Sequence, residues 1–379
     1  MQDKKIAVVG GGPGGLTLAR LLQLKGAVVN VYERDASQDV RMQGATLDLH
    51  EESGLEALRR AGLLEAFYAN HRPEAGRLRI VDKHAASVMD ELFAEDAGDQ
   101  RPEIDRGPLR HILLESLAGG TVVWNSQFAS MEKEKDGWRL SFKNGSSAYA
   151  DLVIAADGAN SKIRPYITAI QPLYSGVTIV EGNVYHAEKN APNLWSLANG
   201  GKVFAFGDEQ SLILSAKGEG SLSFYTGCKV PENWVRQSGI DFADRAQVTE
   251  WFKKDFGSWN NIWQELFISP EAWFIPRPQY HFPLAQEWAA LPNLTMLGDA
   301  AHRMPPYAGE GVNMAMQDAF ELAECLTDRP FEDVQTAIAA YEKQMRQRTS
   351  EVTRLTLDST EMLHGADPIT DLLTMMSGH

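Results

Sequence analysis

The sequence has few cysteines, no long apolar run and no dense basic stretch. Cys228 and Cys325 are its only cysteines among 379 residues, and their spacing fits neither a disulfide framework nor a metal site. No segment approaches the roughly 18 consecutive apolar residues of a transmembrane helix. The first apolar run, residues 6–9, is too short for a signal peptide. These absences predict a cytoplasmic protein with no membrane partner.

The charge balance is acidic, with 51 Asp and Glu against 36 Lys and Arg and a formal net charge of −15 at pH 7. Nucleic-acid binders usually show a basic face, so no nucleic-acid partner is expected. Hydrophobic residues make up 44% of the chain, which is enough for a sizeable core. The length fits two domains that share one interface, and we expect a monomer.

A glycine motif stands near the start of the chain, where residues 6–9 and 28–32 predict strands and residues 14–25 a helix. Gly10, Gly12 and Gly15 match G-x-G-x-x-G, with Gly14 in the same run. The motif allows a tight turn, a close approach of backbone to a pyrophosphate and packing of helix on strand. Glu33, about 20 residues on, can accept hydrogen bonds from a ribose. Dinucleotide binding follows, with FAD and NAD both possible.

A second motif begins at Asp299, directly after the predicted strand 294–297. An aspartate at that position can bond a ribityl hydroxyl. Farther along, Pro306 precedes a predicted helix opening whose residues are Gly309, Gly311, Val312 and Asn313. The N–H groups and dipole of such a helix end stabilise the negative charge of a reduced flavin. This motif favours FAD as the bound dinucleotide.

A third motif is the Asp157-Gly158 turn after the predicted strand 153–156, with Ser161 and Arg164 close behind. The turn is predicted to lie near the flavin and the pyrophosphate. No Ser/His/Asp arrangement and no metal-ligand spacing is visible, so no metal is expected and no catalytic side chain is identified. Only one complete G-x-G-x-x-G is present, so no second dinucleotide-binding fold is expected.

The chain changes character between residues 168 and 283, where alternating segments at 202–206, 212–215 and 221–227 predict an antiparallel sheet. We therefore predict an α/β (α+β overall) fold: a Rossmann-like FAD/NAD(P)-binding domain with an inserted antiparallel β-sheet substrate domain and a C-terminal helix. The expected boundaries are 1–70, 98–167 and 284–330 for the cofactor domain, 71–97 and 168–283 for the substrate domain, and 331–379 for a helical segment bridging them.

The three motifs together resemble the class A flavoprotein monooxygenases, the single-component aromatic hydroxylases. Within that family the sequence is most similar to the tetracycline-inactivating flavin monooxygenases, on stretches at residues 31–35, 44–50, 61–64 and 103–106. The resemblance runs nearly end to end. It implies that Glu33 and Arg34 hold the adenosine ribose. It also implies that further FAD or nicotinamide contacts come from Arg41, Asp48, Arg106, Arg110, Asp157, Asp299 and the 309–313 segment.

On the substrate side, Glu181, Lys202 and Ser223 stand where the tetracycline enzymes place a Gln, an Arg and a His. A lysine cannot reproduce the bidentate fork of an arginine, so these departures count against tetracycline and favour a related polycyclic, phenolic or other aromatic substrate. Four apolar residues of this region can line a cavity. They are Phe204, Ile213, Phe224 and Met362.

The resemblance implies an NAD(P)H-consuming monooxygenase, with NADPH favoured over NADH, that passes one oxygen atom of O₂ to its substrate through a flavin C4a-hydroperoxide. Two rivals share the fold: a flavin-dependent reductase and a flavin halogenase. The segment at residues 273–276 copies half of a halogenase motif, but Glu271 stands where that motif has its first tryptophan. A third alternative is a non-catalytic flavin-binding protein, because motifs report the cofactor and not turnover.

Overall fold

The computed structural model describes residues 3–38, 40, 45–91 and 101–377. The strands in these ranges are β1 Lys5–Val9, β2 Val28–Tyr32, β3 Leu47–Asp48, β4 Leu78–Asp82, β5 Ser87–Glu91, β6 Glu103–Ile104, β7 Val122–Val123, β8 Phe128–Glu134, β9 Gly137–Phe142, β10 Ser147–Ala150, β11 Leu152–Ala155, β12 Leu173–Val184, β13 Lys202–Gly207, β14 Gln210–Ala216, β15 Leu222–Lys229, β16 Trp273–His281 and β17 Leu294–Met296.

The α-helices are α1 Pro13–Leu24, α2 Glu56–Ala61, α3 Leu64–Tyr68, α4 Arg106–Glu115, α5 Ala187–Asn190, α6 Pro192–Ala198, α7 Trp234–Gln237, α8 Arg245–Asp255, α9 Glu265–Ile268, α10 Asp299–His302, α11 Gly311–Thr327, α12 Val334–Leu363 and α13 Pro368–Ser377. A π-helical turn at Glu51–Leu55 leads into α2. Short 3₁₀ helices lie at Pro73–Gly76, Arg164–Tyr166, Asn261–Gln264 and Pro306–Ala308.

A parallel sheet of order β17-β11-β1-β2-β7 supports the cofactor side. Its central strands are apolar and buried on both faces, as expected where helices cover a parallel sheet. The predicted strand–helix–strand unit at the start is confirmed as β1, α1 and β2. Helix α1 packs on α11, which brings the N-terminal ends of two helices that lie far apart in sequence to one place.

A second sheet of order β16-β12-β15-β14-β13-β4-β5 contains the predicted strands β13, β14 and β15. Its pairs are antiparallel apart from the parallel pair of β13 and β4. One face carries an aromatic core that includes Trp251, Trp263 and Phe267, packed under helices α6, α8 and α9. The other face turns toward the cofactor side. The mixed fold predicted from the sequence is therefore confirmed.

Two features of the 168–283 region depart from the sequence reading. The longest strand there, β12, was not predicted, because its residues run almost continuously buried and lack the alternation that marks a half-exposed strand. The same region also contains the helices α5 to α9, whereas the sequence predicted only strands there. Several of the tryptophans concentrated in this region belong to the core beneath these helices rather than to a ligand site.

Helix α12 has 30 residues and begins at the Asp333 side chain, whose Oδ1 accepts a hydrogen bond from Thr336 N at 2.8 Å. Its Tyr341 hydroxyl donates to Met296 O on the parallel sheet at 3.1 Å. At its other end, His364 contacts Ser211 on the second sheet. Helix α12 thus joins both sheets. Among the helices of the described residues, none combines the length and apolar character needed to cross a membrane.

Candidate active site

A single cavity of about 900 Å³ extends between the two sheets. Its wall begins at the glycine turn before α1 and passes the N-terminal end of α11. It ends on the face of the second sheet and on helices α12 and α13. Predicted site residues that line it are Gly12, Gly14, Gly15, Asp48, Lys202, Phe204, Arg106, Ile213, Asp299, Pro306, Gly309, Gly311, Val312 and Met362. The two groups of predicted residues, cofactor and substrate, therefore share one space.

The glycine turn owes its shape to the absence of side chains. Gly10 has a φ of +116°, and a Cβ there would lie 2.1 Å from Ala156 O. A Cβ on Gly15 would lie 2.2 Å from Gly10 O. At Gly12, by contrast, no atom lies within 4 Å of an added Cβ, so its backbone borders open space. The turn is packed tightly from behind and is open toward the cavity, as a pyrophosphate cradle requires.

Glu33 lies directly behind this turn and does not itself line the cavity. Its Oε2 accepts a hydrogen bond from Gly11 N at 2.5 Å, and its Oε1 accepts from Asp35 N at 2.9 Å. The buried carboxylate therefore holds the glycine turn against the end of β2. Arg34 is exposed beside it.

Asp299 follows a glycine whose backbone only glycine adopts readily, with Gly298 at φ 60° and ψ −147°. The side chain of Asp299 is open to the cavity, while the surrounding protein raises its pKa by burial. Behind it, Gly298 N donates to Asp318 Oδ2 at 2.8 Å. The same carboxylate contacts His302 Nε2 and Arg348 Nη2, each at 2.5 Å. This buried network fixes the position of Asp299.

The third motif, which runs from Asp157 to Arg164, also supports the segment that begins at Asp299. Arg164 is 5% exposed, and its Nη1 donates to Ala300 O at 3.0 Å and to Ala301 O at 2.9 Å. Asp157 closes its own turn by accepting from Lys162 N at 2.7 Å. Asp157 itself does not line the cavity, although its neighbours Ala156 and Gly158 do.

The segment before α11 forms the floor of the cavity beside Asp48. Gly309 has a φ of 72° and lies close to the Asp48 carboxylate. The Asn313 side chain points away from the cavity: its Oδ1 accepts from His50 N at 3.0 Å and its Nδ2 donates to Asp48 O at 2.9 Å. Asn313 thus ties the Asp48 segment to α11, and the open helix end is formed by Gly311 and Val312.

Charged side chains gather around Asp48. Arg101 Nη2 lies 2.7 Å from Asp48 Oδ2, and His50 Nε2 lies 3.3 Å from the same oxygen. Burial raises the pKa of Asp48, but the hydrogen bond of His50 and the charges of Lys202 and Arg101 outweigh it and hold this pKa well below its ordinary value. Asp48 is therefore ionised at neutral pH, on the cavity wall.

The predicted arginines separate into different environments. Arg106 lines the cavity, and its Nε donates to Ala45 O at 3.1 Å. Arg110 is buried one helical turn later and contacts Asp35 Oδ2 at 2.9 Å, so it supports the end of β2 instead of lining the cavity. Arg41 lies outside the described residues.

Cross-strand rows build the substrate side of the cavity. One row joins Lys202 to Ser215, and Ser215 to Ser223. The next row joins Phe204 to Ile213 and Ile213 to Tyr225. Because side chains directly opposite each other on paired strands share a face, both rows point the same way. Met362 and the α13 residues Leu372, Met375 and Met376 close the opposite wall.

The prediction that Phe224 lines this cavity is wrong. Phe224 is fully buried on the other face of the sheet, with its ring 5.4 Å from that of Phe267 and 6.3 Å from that of Phe274. Adjacent residues of a strand point to opposite faces, so Ser223 and Phe224 cannot share one wall.

Two other predicted substrate residues share the correct face without lining the cavity. The Glu181 carboxylate is buried and bound by Arg277 Nε. Ser223 is 1% exposed, beyond Ser215 in its row, and among the described residues its hydroxyl has no hydrogen-bond partner.

The sequence reading missed several wall residues, and three of them bear on the chemistry of the site. Tyr225 lies between Ile213 and Glu181 in its row, and its hydroxyl accepts from Ala45 N at 3.0 Å. Strand alternation from Ser223 would have found it. Tyr307 follows the predicted Pro306 directly. Glu103, in the short strand β6, lies in a stretch that carries the family resemblance, but nothing local indicated its role, because its contact with Lys202 spans 99 positions.

The residues present fit FAD by their chemistry. Glycine backbone and a helix end suit the phosphates, Arg106 supplies a cation, and the helix end at Gly311 suits an electron-rich ring edge. The cavity then continues onto an apolar face that can receive a second, smaller molecule. The cavity formed by the described residues therefore offers one part suited to a dinucleotide and, beside it, an apolar part.

Comparisons with known proteins agree with this geometry. A family described as FAD binding domain matches residues 3–356. The chain is similar to "Monooxygenase asqM" of Emericella nidulans, with 31% identity over 85% of this chain and 83% of that protein.

Two solved structures share the fold. One is HpxO of Klebsiella pneumoniae complexed with FAD and uric acid, with a TM-score of 0.76, 23% identity and coverage of 97% of this chain and 90% of that one. The other is the tetracycline destructase Tet(51), with a TM-score of 0.76, 17% identity and coverage of 99% and 94%. At these identities the two structures establish the fold alone.

Proposed function

Because the chain belongs to the FAD binding domain family and is an FAD-dependent monooxygenase, we propose that it consumes NAD(P)H and O₂ to hydroxylate a small aromatic or polycyclic compound. One observation carries this proposal: a continuous cavity runs from the glycine turn at Gly12 to the apolar wall at Phe204. When bound there, FAD supplies the redox chemistry that activates dioxygen.

The residues on the cofactor side bind FAD and orient its flavin ring. Gly12, Gly14 and the first turn of α1 receive the pyrophosphate, Arg106 adds positive charge, and Asp299 accepts from ribityl hydroxyls. The helix end at Gly311 faces the flavin ring. We keep as proposed boundaries 1–70, 98–167 and 284–330 for the cofactor domain, 71–97 and 168–283 for the substrate domain, and 331–379 for the segment between them.

The residues on the substrate side exclude water and position the ring to be oxygenated. Phe204, Ile213 and Met362 present an apolar wall. Tyr225 accepts from Ala45 N, and in the described part of the chain its own proton has no acceptor. This hydroxyl therefore donates to an oxygen of the substrate and turns one edge of the ring toward the cofactor.

One structure of the same fold is a complex with uric acid, and another is a tetracycline destructase. Heteroaromatic and polycyclic compounds are therefore both appropriate candidates to test as substrates. NADPH is the first reductant to test and NADH the second. A tetracycline is one member of the test panel beside phenols and nitrogen heterocycles.

The test measures stoichiometry. FAD-loaded protein is mixed with NADPH and each candidate substrate under isotopically labelled dioxygen. We expect substrate-stimulated NADPH oxidation with one labelled oxygen atom in the product for each NADPH consumed. NADPH oxidation that yields only hydrogen peroxide across the panel contradicts the proposal. Turnover that continues without oxygen identifies a reductase instead.

A further inference from the structure

Three polar side chains meet where the cofactor side and the substrate side of the cavity join. His364, the residue that follows α12, places its Nε2 atom 3.0 Å from Ser211 Oγ of β14 and 3.2 Å from the Tyr307 hydroxyl. Tyr307 belongs to the 3₁₀ turn Pro306–Ala308 and lines the cavity. This polar cluster therefore links the end of α12, the second sheet and the turn that leads into α11.

The second sheet makes room for the cluster with a glycine. Gly227 of β15 lies directly opposite Ser211 in the sheet. A Cβ on Gly227 would lie 2.3 Å from Tyr307 Oη and 2.4 Å from both His364 Nε2 and Ser211 Oγ. Any larger residue would displace all three polar atoms, so the gap above Gly227 is a socket for them. His364 and Ser211 are almost fully buried in it.

The imidazole has a defined hydrogen-bonding role on each side. Nδ1 of His364 lies 2.7 Å from Thr360 O, and because a carbonyl oxygen only accepts, Nδ1 carries the proton. Burial lowers the pKa of His364 to about 4, so the ring is neutral at neutral pH and Nε2 is an acceptor. The Tyr307 hydroxyl also hydrogen-bonds with Ser211, and burial raises its pKa, so it keeps its proton. Nε2 is thus the one group of the cluster that cannot donate, and a hydroxyl proton must be directed to it.

Tyr307 connects this cluster to both parts of the cavity. Its ring packs against the same small hydrophobic core as Phe204 and Met362, which line the substrate side. The ring stands edge-on to the imidazole of His364, with centroids 4.9 Å apart and planes at 80°. The chain then continues within four residues to the helix end at Gly311 on the cofactor side. A displacement of Tyr307 would therefore disturb both parts.

From this arrangement we propose that His364 is a positioning residue for the flavin ring. By accepting a hydrogen bond from the Tyr307 hydroxyl, it holds the turn Pro306–Ala308, and through it the helix end at Gly311, in one place against the second sheet. The inference rests on the proposed placement of the flavin ring at that helix end. His364 itself does not line the cavity, so it acts through Tyr307 and not by contact with the cofactor.

Visible circular dichroism of the bound flavin tests the proposal, because the flavin ring is achiral and gains this signal from fixed asymmetric surroundings. His364→Asn and His364→Gln are the matched variants. An asparagine amide reaches the position of Nδ1 and keeps the bond to Thr360 O, whereas a glutamine amide reaches the position of Nε2 and keeps an acceptor for Tyr307. We expect His364→Asn to lose about half of the signal per bound FAD and His364→Gln to retain most of it. Equal losses in the two variants, or a full signal in His364→Asn, overturn the proposal.

Tyr307→Phe decides the matter if the His364 variants do not fold. It leaves Ser211 to donate to Nε2, so the buried imidazole stays satisfied and the melting temperature should remain near that of the wild type. The flavin signal should fall by the same share as in His364→Asn. The double variant should lose no more than either single variant, because both substitutions remove one interaction. A full signal in Tyr307→Phe, or additive losses in the double variant, contradicts the proposal.

Ser211→Ala is the control, because it removes the hydroxyl that faces Nε2 from the sheet and leaves Tyr307 its acceptor. Its flavin signal should stay close to that of the wild type. A loss as large as that in Tyr307→Phe would assign the positioning role to Ser211 and make the assignment to His364 wrong. FAD content and melting temperature are measured for every variant, so that loss of cofactor is not mistaken for loss of order. The readout needs neither substrate nor NADPH, so a protein that fails the oxygenation test can still pass this one, and the reverse.

Discussion

The cofactor side and the substrate side of the cavity are built from different parts of the polypeptide. The cofactor side uses backbone: glycines packed without room for a side chain, and helix ends at Gly12 and Gly311. The substrate side uses side chains from rows that cross several strands. A change on the first side therefore alters the shape of the chain, whereas a change on the second alters one face of a sheet. The predictions below test this difference.

The largest effect is expected at the back of the glycine turn. Gly15→Ala would place a methyl group 2.2 Å from Gly10 O, so strand and helix must move apart. We expect a loss of about 4 kcal/mol in the free energy of unfolding and no retained FAD. The measurements are chemical denaturation and flavin absorbance after purification.

Gly12→Ala is the matched control, because no atom lies within 4 Å of its added Cβ. It should keep the melting temperature of the wild type and bind FAD more weakly, since the methyl group enters the space of the phosphates. Equal stability and equal FAD content in both variants would show that the turn does not depend on close packing.

The second effect concerns the side chains that support the cofactor side from behind. Asp318→Asn leaves Arg348 and His302 without their buried carboxylate and should destabilise the protein by about 3 kcal/mol. Burial raises the pKa of Asp318, but His302 and Arg348 outweigh it and hold this pKa below its ordinary value.

The stability that Asp318 contributes is therefore present above the ordinary pKa of an aspartate, near 4, and is lost as the pH falls through the lower pKa of the folded state. Denaturation curves across acidic pH should show this dependence in the wild type and a weaker one in Asp318→Asn. An unchanged acid limb in the variant would mean that other carboxylates control acid unfolding.

The third effect lies on the substrate side, at the junction of α12 with the second sheet. His364 Nδ1 donates to Thr360 O at 2.7 Å, so Nε2 is an acceptor, and it faces Ser211 Oγ at 3.0 Å and Tyr307 OH at 3.2 Å. Burial lowers the pKa of His364 from 6.5 to about 4. Between those two pH values the unfolded chain binds a proton that the folded chain does not. Stability therefore decreases as the pH is lowered from 6.5 to about 4.

The expected loss between pH 6.5 and about 4 is roughly 3 kcal/mol. His364→Gln removes the titrating group and should flatten this part of the stability curve, as measured by urea denaturation at several pH values. Asp318→Asn is the comparison variant, since its change lies at lower pH. If His364→Gln retains the full slope, the imidazole is not the group that titrates.

The smallest effect compares two neighbours on β15. Tyr225→Phe should lower ligand affinity about tenfold, because its hydroxyl no longer donates, and should cost about 1 kcal/mol of stability through the unpaired Ala45 N–H. Phe224→Leu should cost about 1 kcal/mol by loosening the aromatic core and leave ligand affinity unchanged. Isothermal titration calorimetry with a compound of the substrate panel measures the ligand affinity, and thermal denaturation measures the stability. If Phe224→Leu lowers ligand affinity and Tyr225→Phe does not, the ligand binds on the opposite face of the second sheet.

Local patterns predicted the cofactor side well. Strand β2 occupies the predicted residues 28–32, and helix α1 begins within one residue of its predicted start. These features depend on neighbours in sequence: glycine conformation, apolar periodicity and proline at a helix start. The same signals placed Gly12, Asp299 and Gly311, and the structure brings them to one cavity.

The substrate side could be predicted only in part. Phe204 and Ile213 were placed on the cavity wall and do line it, but Ser223 and Phe224 were both assigned to it although they are adjacent on one strand. The long strand β12 was missed because continuous burial hides its alternation. A strand's sequence shows that it alternates, while which face meets the cavity depends on register against its neighbours.

The sequence by itself determined the βαβ turn for the dinucleotide, the acidic residue after β2 and the glycine-led helix start that suits a flavin. Only the tertiary structure decided that Glu103 meets Lys202, that Tyr225 and not Phe224 faces the cavity, and that Asn313 points away from it. The physical reason is the distance along the sequence over which the deciding interactions act. Turns and helix ends follow from interactions within a few residues, whereas a wall assembled across strands depends on pairing between distant segments.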